Sequence, residues 1–357
     1  PSGGATDVAE VFSTHLYDGN WDGGSAVTNQ IQNGIDLAGE GGMVWIKGRG
    51  RAVAHRLFDS EQNSGSSSFY NLDSSSTSGA GGPNTNMMSS FNSDGFTVGN
   101  NGDVNSSYHS TTDYASFTFR KKSGFFDCVT YSGNGVAGRE IAHGLGGPVG
   151  MMVVKRTNAS DNWFVYHRSN TSAPETDYLN LNETQATADY APIWNDTAPT
   201  TTAFTVGNYQ GVNASGGTYV AYLWADNSSE DLEDQMIKCG SYMTNGSGDS
   251  GDIALGWEPQ FVLFKNSEGA NNWTILDSMR GFTAPASGNS AGVRDSYLFP
   301  NSSEGEGESH FGNPTSTGFR IINQSSGVRY IYMAIRGPMM VEPEAATDVF
   351  HVDTNNN

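Results

Sequence analysis

The chain has 357 residues, of which 36% are hydrophobic, 11% aromatic and only 16% charged, with 45 glycines and a formal net charge of −20. Its 18 Phe, 15 Tyr and 7 Trp are enough apolar matter for several cores, which excludes a disordered chain. The acidic balance repels phosphate backbones and anionic lipid surfaces, which excludes both as partners.

In chain order the elements fall into one pattern stated three times. The first statement holds a Tyr-turn segment, YDGN (17–20), then MVWIKGR (43–49), AHRLFD (54–59), GFTVGN (95–100) and DYASFTFR (113–120). The second holds YSGN (131–134), MVVKR (152–156), NWFVYH (162–167), YLNLN (178–182), AFTVGN (203–208) and TYVAYLWA (218–225). The third holds YMTN (242–245), FVLFKN (261–266), NWTILD (272–277), SYLFP (296–300), GFRIIN (318–323) and RYIYMAIR (329–336). Lys47 and Lys155 are 155 − 47 = 108 residues apart, and Lys265 lies 265 − 155 = 110 further on. Recurrence of landmarks in fixed order is the signature of internal repeats.

The landmarks read as β-strands: short, rich in β-branched and aromatic residues, and flanked by Gly, Asn and Ser. VGMMVVK and QFVLFK are continuous apolar runs, as expected of strands covered on both faces. The expected fold class is all-β: three tandem antiparallel β-sandwich (jelly-roll-like) modules of one diverged repeat. The expected boundaries are 1–123, 124–232 and 233–340. Residues 341–357 form a C-terminal strand or the start of a further unit, because ATDVF (346–350) resembles ATDVAEVF (5–12). The one helical candidate, SSEDLEDQMIK (228–238), reads equally as a linker. FTVGNNGDVN (96–105) and FTVGNYQGVN (204–213) read as a strand, a tight turn and the start of the next strand.

Chemistry-bearing residues give little. Cys128 and Cys239 stand three residues before the repeat Tyr and read as small buried residues, too few for a disulfide framework. The seven histidines (His15, His55, His109, His143, His167, His310, His351) show no metal-ligand spacing, and His167 aligns with Asp59 and Asp277, a polar strand end. Asp161 with Glu175 and Asp177 is a candidate carboxylate set that no spacing singles out. DGNWDGG (18–24) has calcium-like oxygens but no twelve-residue loop, and reads as a hairpin turn. Trp163 and Trp273 share one place and read as core residues, against stacking platforms for sugar; Trp45, Trp194, Trp224 and Trp257 are read with the same caution. Arg120, Lys121 and Lys122 read as a solvated strand end. Eleven Asn-x-Ser/Thr triplets, among them Asn158, Asn182, Asn213 and Asn272, matter only on a eukaryotic secretory route. No basic-then-apolar leader and no apolar run of membrane-spanning length is expected to act, and the start at Pro1 reads as a removed Met or a piece of a longer chain. No catalytic, cofactor-binding or metal residue is assigned, and no cofactor is expected. The loops 60–90, 169–202 and 279–310 share little, as binding loops on a rigid scaffold would and as neutral loops also would.

MVWIKGRG with AHRLFD, FNSDGFTVGNNGDVN with SFTFRK, GREIAHGLGGPVGMMVVKRT with DNWFVYH, and above all VNASGGTYVAYLWA resemble a repeated β-rich domain of tailed-phage virion structural proteins, especially marine ones. RIINQSSGVRYIYMAIRGPM in the third statement departs from that pattern. The resemblance implies a virion location in a tail fibre or capsid appendage, and it implies no catalytic residues. The leading expectation is therefore a non-enzymatic homo-oligomeric structural protein. Its expected partners are other virion proteins and a host-surface glycan or protein, with no membrane insertion. A secreted carbohydrate-binding module array, with exposed Trp on one face, is the alternative. A polysaccharide depolymerase is the third reading.

Overall fold

The computed structural model describes residues 7–63, 68–108, 113–227, 231–283 and 294–338. The resemblance of 346–350 to the start of the chain, most of the 228–238 segment's first turn, His109 and His351 lie outside the described residues.

The fold is all-β and its sheets are antiparallel. Three larger sheets share one strand order. In the first, Phe12–Asp18 lies at the edge, followed by Asp113–Arg120, Gly42–Gly48 and Arg56–Asp59. In the second the order is Phe126–Ser132, Thr218–Ala225, Val149–Arg156 and Trp163–His167, continued by Asp177–Asn180 and Ala188–Asp189. In the third it is Ile237–Met243, Arg329–Arg336, Pro259–Asn266 and Thr274–Asp277. Each is accompanied by a smaller sheet of two or three strands, built around Gly95–Val98, Ala203–Val206 and Gly318–Ile321 respectively.

The continuous apolar runs follow from this layering. Strand side chains alternate between faces. Val44 and Ile46 point toward the small sheet, where they pack with Ile31, Phe96 and Val98. Val262 and Phe264 do the same with Phe319 and Ile321. The intervening Met43 and Trp45, Met151 and Val153, and Phe261 and Leu263 all belong to one shared core. Aromatic rings knit that core across sheets: Phe12 and Phe117 each lie 5.4 Å from Phe261, and Phe119 lies 5.6 Å from Trp224. So each central strand is buried on both faces, on one side by its own small sheet and on the other by its neighbours.

Magnitudes show that this shared core is obligatory. The second sheet contributes Met151, Val153, Trp163, Val165, Tyr222 and Trp224 to it. At about 1.5–3 kcal/mol per fully buried large side chain, their exposure would forfeit roughly 9–18 kcal/mol. That is as large as the whole net stability of an ordinary domain, about 5–15 kcal/mol.

The repeated FTVGN segment differs from expectation after its strand. Gly102–Asn105 and Gln210–Asn213 are single helical turns, not the start of a strand. Their function is polar closure. Asn105 donates to Gly99 O (2.9 Å) and accepts from Asn20 N–H (3.0 Å); Asn213 donates to Gly207 O (2.7 Å) and accepts from Asn134 N–H (2.9 Å). The Tyr17 hydroxyl donates to Val104 O and the Tyr131 hydroxyl to Val212 O. The decamer and the Tyr-turn segment thus recur together because they meet. The DGNWDGG stretch is not a hairpin either: the strand before it pairs with Asp113–Arg120, and the strand after it pairs with Gly95–Val98 in a different sheet. In the 228–238 segment the described part holds only a 3-10 turn, Leu232–Asp234.

Candidate functional site

Three equivalent seams join the larger sheets in a closed ring. Two positions after each landmark lysine, a backbone carbonyl accepts an N–H from the loop of the preceding unit. Ala80 donates to Thr157 O (2.7 Å), Thr187 to Ser267 O (2.8 Å) and Glu306 to Arg49 O (2.6 Å). The third bond runs from the last unit to the first and closes the circle.

The lysines themselves sit in these seams with no exposed surface. Lys47 Nζ donates to Gly48 O (2.9 Å), Arg51 O (3.1 Å) and Ser303 O (3.3 Å). Lys155 Nζ donates to Thr77 O (2.7 Å) and Asp161 O (2.6 Å), and Lys265 Nζ to Asn266 O (2.5 Å) and Gly269 O (2.9 Å). Carbonyl oxygens take all three ammonium donors of Lys47 and two each of Lys155 and Lys265, which offsets the cost of burying a cation. Burial still brings each of the three down to about 8.

The aromatic place of the NW landmark reads the same seams. Trp163 Nε1–H donates to Asp73 O (3.1 Å) and Ser76 O (3.0 Å), and Trp273 Nε1–H donates to Asn180 O (2.9 Å). His55 holds that place in the first unit. It is fully buried, accepts on Nδ1 from Trp45 Nε1–H (2.8 Å) and faces the Phe299 carbonyl of the third unit. Trp163 and Trp273 are core residues, with 0% and 1% exposure, and offer no platform to sugar.

The polar strand ends meet the next sheet as well. Asp59 accepts from the Tyr222 hydroxyl (2.8 Å). His167 Nε2 lies 3.0 Å from Tyr332 O, and burial pushes this imidazole down to about 4, so it is neutral. Asp277 pairs with Arg280 at 2.6 Å, and the Arg280 guanidinium lies 5.7 Å from the centre of the Phe117 ring.

The remaining sequence candidates are dispersed. Asp161 precedes one end of strand Trp163–His167, whereas Asp177 begins the neighbouring antiparallel strand at the other end. That separates them by most of a strand, about 15–20 Å. Asp177 accepts from the Thr171 hydroxyl. In DGNWDGG, the Asp22 carboxylate turns onto Gly24 N–H. Among the described residues no group of three or more His, Cys, Asp or Glu side chains is placed to hold a metal ion. Cys128 and Cys239 are both buried free thiols. Lys121 departs from the solvated reading, since its Nζ meets Glu61 (2.8 Å) and Asp127 (3.2 Å). Asn213 and Asn182 are buried, so neither triplet is open to a glycosylating enzyme in the fold.

One seam opens into a cleft of about 700 Å³ between the first unit's loop and the second unit's edge strand. Glu61, Gln62, Tyr70 and Ala80 form one wall, and Thr130 to Ser132, Thr157, Asn158, Thr218 and Tyr219 form the other. Gly79 lets the walls approach, because a Cβ there would stand 2.6 Å from Thr157 O. Sequence reasoning missed this cleft; the seam under it was signalled only by a lysine recurring at the end of an apolar strand. No helix among the described residues is long and apolar enough to cross a membrane.

These features define a class: an all-β protein whose paired antiparallel sheets are locked around one common core. Within it, the chain belongs to the family described as Domain of unknown function (DUF7483), which matches residues 7–337. No curated protein and no solved structure matches the chain.

Proposed function

We propose that this chain is a non-enzymatic structural protein of a phage virion, of the tail-fibre or capsid-appendage type. It is built from three diverged copies spanning 1–123, 124–232 and 233–340. Its partners are further copies of itself, other virion proteins and a host-surface receptor. The sequence resemblance supplies the virion setting. The observation that supports a scaffold role is the use of the reactive side chains: Lys47, Lys155, Trp163, Trp273, Asp59, His167 and Arg280 all reach across seams between sheets. A body locked in this way carries variable loops on a rigid frame.

Mass spectrometry and antibody-labelled electron microscopy of purified particles test the proposal. The chain is expected among the virion proteins, labelled at an appendage. Its absence from particles whose other structural proteins are detected overturns the reading.

A further inference from the structure

We propose that the cleft between Glu61, Gln62, Tyr70 and Ala80 on one side and the edge strand Phe126–Ser132 on the other binds a short neutral oligosaccharide. This deepens the attachment role above and rests on it. The volume, about 700 Å³, falls in the range of small-ligand sites.

A sugar needs a flat apolar surface for its C–H face and fixed polar groups for its hydroxyls. Tyr70 supplies the first: its side chain lines the cleft and the residue is 38% exposed. Its backbone is held by Asn63, which accepts from Tyr70 N–H (2.6 Å) and donates to Tyr70 O (3.3 Å). The opposite wall supplies the second. Asn158 is fixed by Gly216 O (3.0 Å) and Thr218 N–H (3.2 Å), and the Thr157 and Thr218 hydroxyls meet at 2.6 Å. These groups are ordered before any ligand arrives, which lowers the cost of binding.

The edge strand argues against an extended peptide as occupant. Gly133 N–H donates to Gly217 O and Ala225 N–H to Phe125 O, so the odd-numbered residues of this strand face its partner and the even-numbered ones face outward. Phe126 is closed by Lys122, Cys128 N–H by the Asp127 carboxylate and Ser132 O by Arg139. Among the described residues Thr130 alone keeps both outward groups open. With Cys128 N–H and Ser132 O already taken, a ladder cannot run past this short stretch, whereas the Thr130 N–H and C=O can serve single hydroxyls. Charge selects a neutral ligand. Glu61 is paired with Lys121 at 2.8 Å, and the chain's net charge of −20 repels anionic glycans.

The test is a glycan array carrying short neutral gluco-, galacto-, manno- and N-acetylglucosamine oligosaccharides, with sialylated and sulfated glycans as charged probes, followed by titration calorimetry on the full chain. Tyr70→Ala removes the stacking face and Thr130→Trp fills the cleft. Tyr190→Ala, at an exposed Tyr elsewhere, is the control. Thermal melts verify that each variant is folded. A neutral oligosaccharide is expected to bind, with affinity reduced at least about tenfold by Tyr70→Ala and by Thr130→Trp and unchanged by Tyr190→Ala. A silent array, preference for the charged glycans, binding that survives both cleft variants, or displacement by an extended Ser/Thr-rich peptide overturns the proposal. A silent array leaves the virion reading intact, whereas absence from the particle with a Tyr70-dependent hit overturns only the virion reading.

Discussion

Arg49 and Glu306 stand 257 positions apart in the chain and meet in a two-point ion pair, Nε to Oε2 at 2.9 Å and Nη2 to Oε1 at 2.8 Å. The Glu306 backbone N–H also donates to Arg49 O, so side chains and main chain close the ring at one place. Glu306 is further held by Arg280 Nη1 at 3.2 Å. The guanidinium and carboxylate are 23% and 13% exposed, so the pair is neither a screened surface bridge nor a fully buried one.

Removing one partner should therefore cost an intermediate amount. Arg49→Ala is expected to lower stability by about 2 kcal/mol in urea titrations, and a double-mutant cycle with Glu306→Ala should return a coupling near 1 kcal/mol. Because the core is shared, calorimetry of the wild type should show one cooperative transition. Three resolved transitions would refute the obligatory core.

The Tyr-turn glycine is a second point of leverage. A Cβ on Gly133 would stand 2.1 Å from Ala214 O, and one on Gly19 would stand 2.2 Å from Ser106 O. Backbone cannot retreat as a flexible side chain can, so Gly133→Ala should destabilise by about 2–3 kcal/mol. A Cβ on Gly246 would meet nothing within 4 Å among the described residues, and Gly246→Ala should change stability by no more than about 0.5 kcal/mol. The third unit carries Thr244 where the others have this glycine, and there its hydroxyl donates to Ser325 O at 2.7 Å.

The paired tyrosines make the same contrast by hydrogen bonding. Tyr131 stacks on Tyr219 at 5.0 Å and Tyr242 on Tyr330 at 5.4 Å, so packing is alike. The Tyr131 hydroxyl donates to Val212 O at 2.7 Å, whereas the buried Tyr242 hydroxyl has no partner among the described residues. Tyr131→Phe should cost about 1 kcal/mol, leaving a carbonyl unpaired. Tyr242→Phe should be neutral or stabilising. Equal losses in chemical denaturation would show that the helical turn does not explain the difference.

The seam lysines give a pH dependence. Lys47, Lys155 and Lys265 are held near 8, below the ordinary 10.5, because burial disfavours the ammonium. Between these values the unfolded chain binds more protons at the three sites than the folded chain. Their contribution is therefore largest above 10.5 and is lost as pH falls through 8. The urea midpoint should rise from pH 7.5 to 9.5, and Lys265→Met should flatten that rise. Above about 10 the trend should reverse. Burial holds Tyr17, Tyr131 and Tyr242 well above the usual phenol value, so unfolded tyrosines ionise first. A midpoint that falls from 7.5 to 9.5 contradicts the assignment.

What the sequence determined by itself was local and periodic. Two-face burial of Val149–Arg156 and Pro259–Asn266 was legible as an unbroken apolar run, and the core role of Trp163 was legible from its place at the head of an apolar strand. The FTVGN recurrence located the repeating landmarks, although the helical turn after it was hidden, because GDVN and QGVN carry no helical period in four residues. Only the tertiary structure decided what each polar group faces. That Lys47 reaches Ser303, that His55 faces the Phe299 carbonyl, and that Tyr70 and Thr130 share a cleft all depend on closure between distant segments. Strand propensity and alternation act over a few residues. The partner of a buried donor is fixed by which sheet arrives opposite it, and no local pattern records that choice.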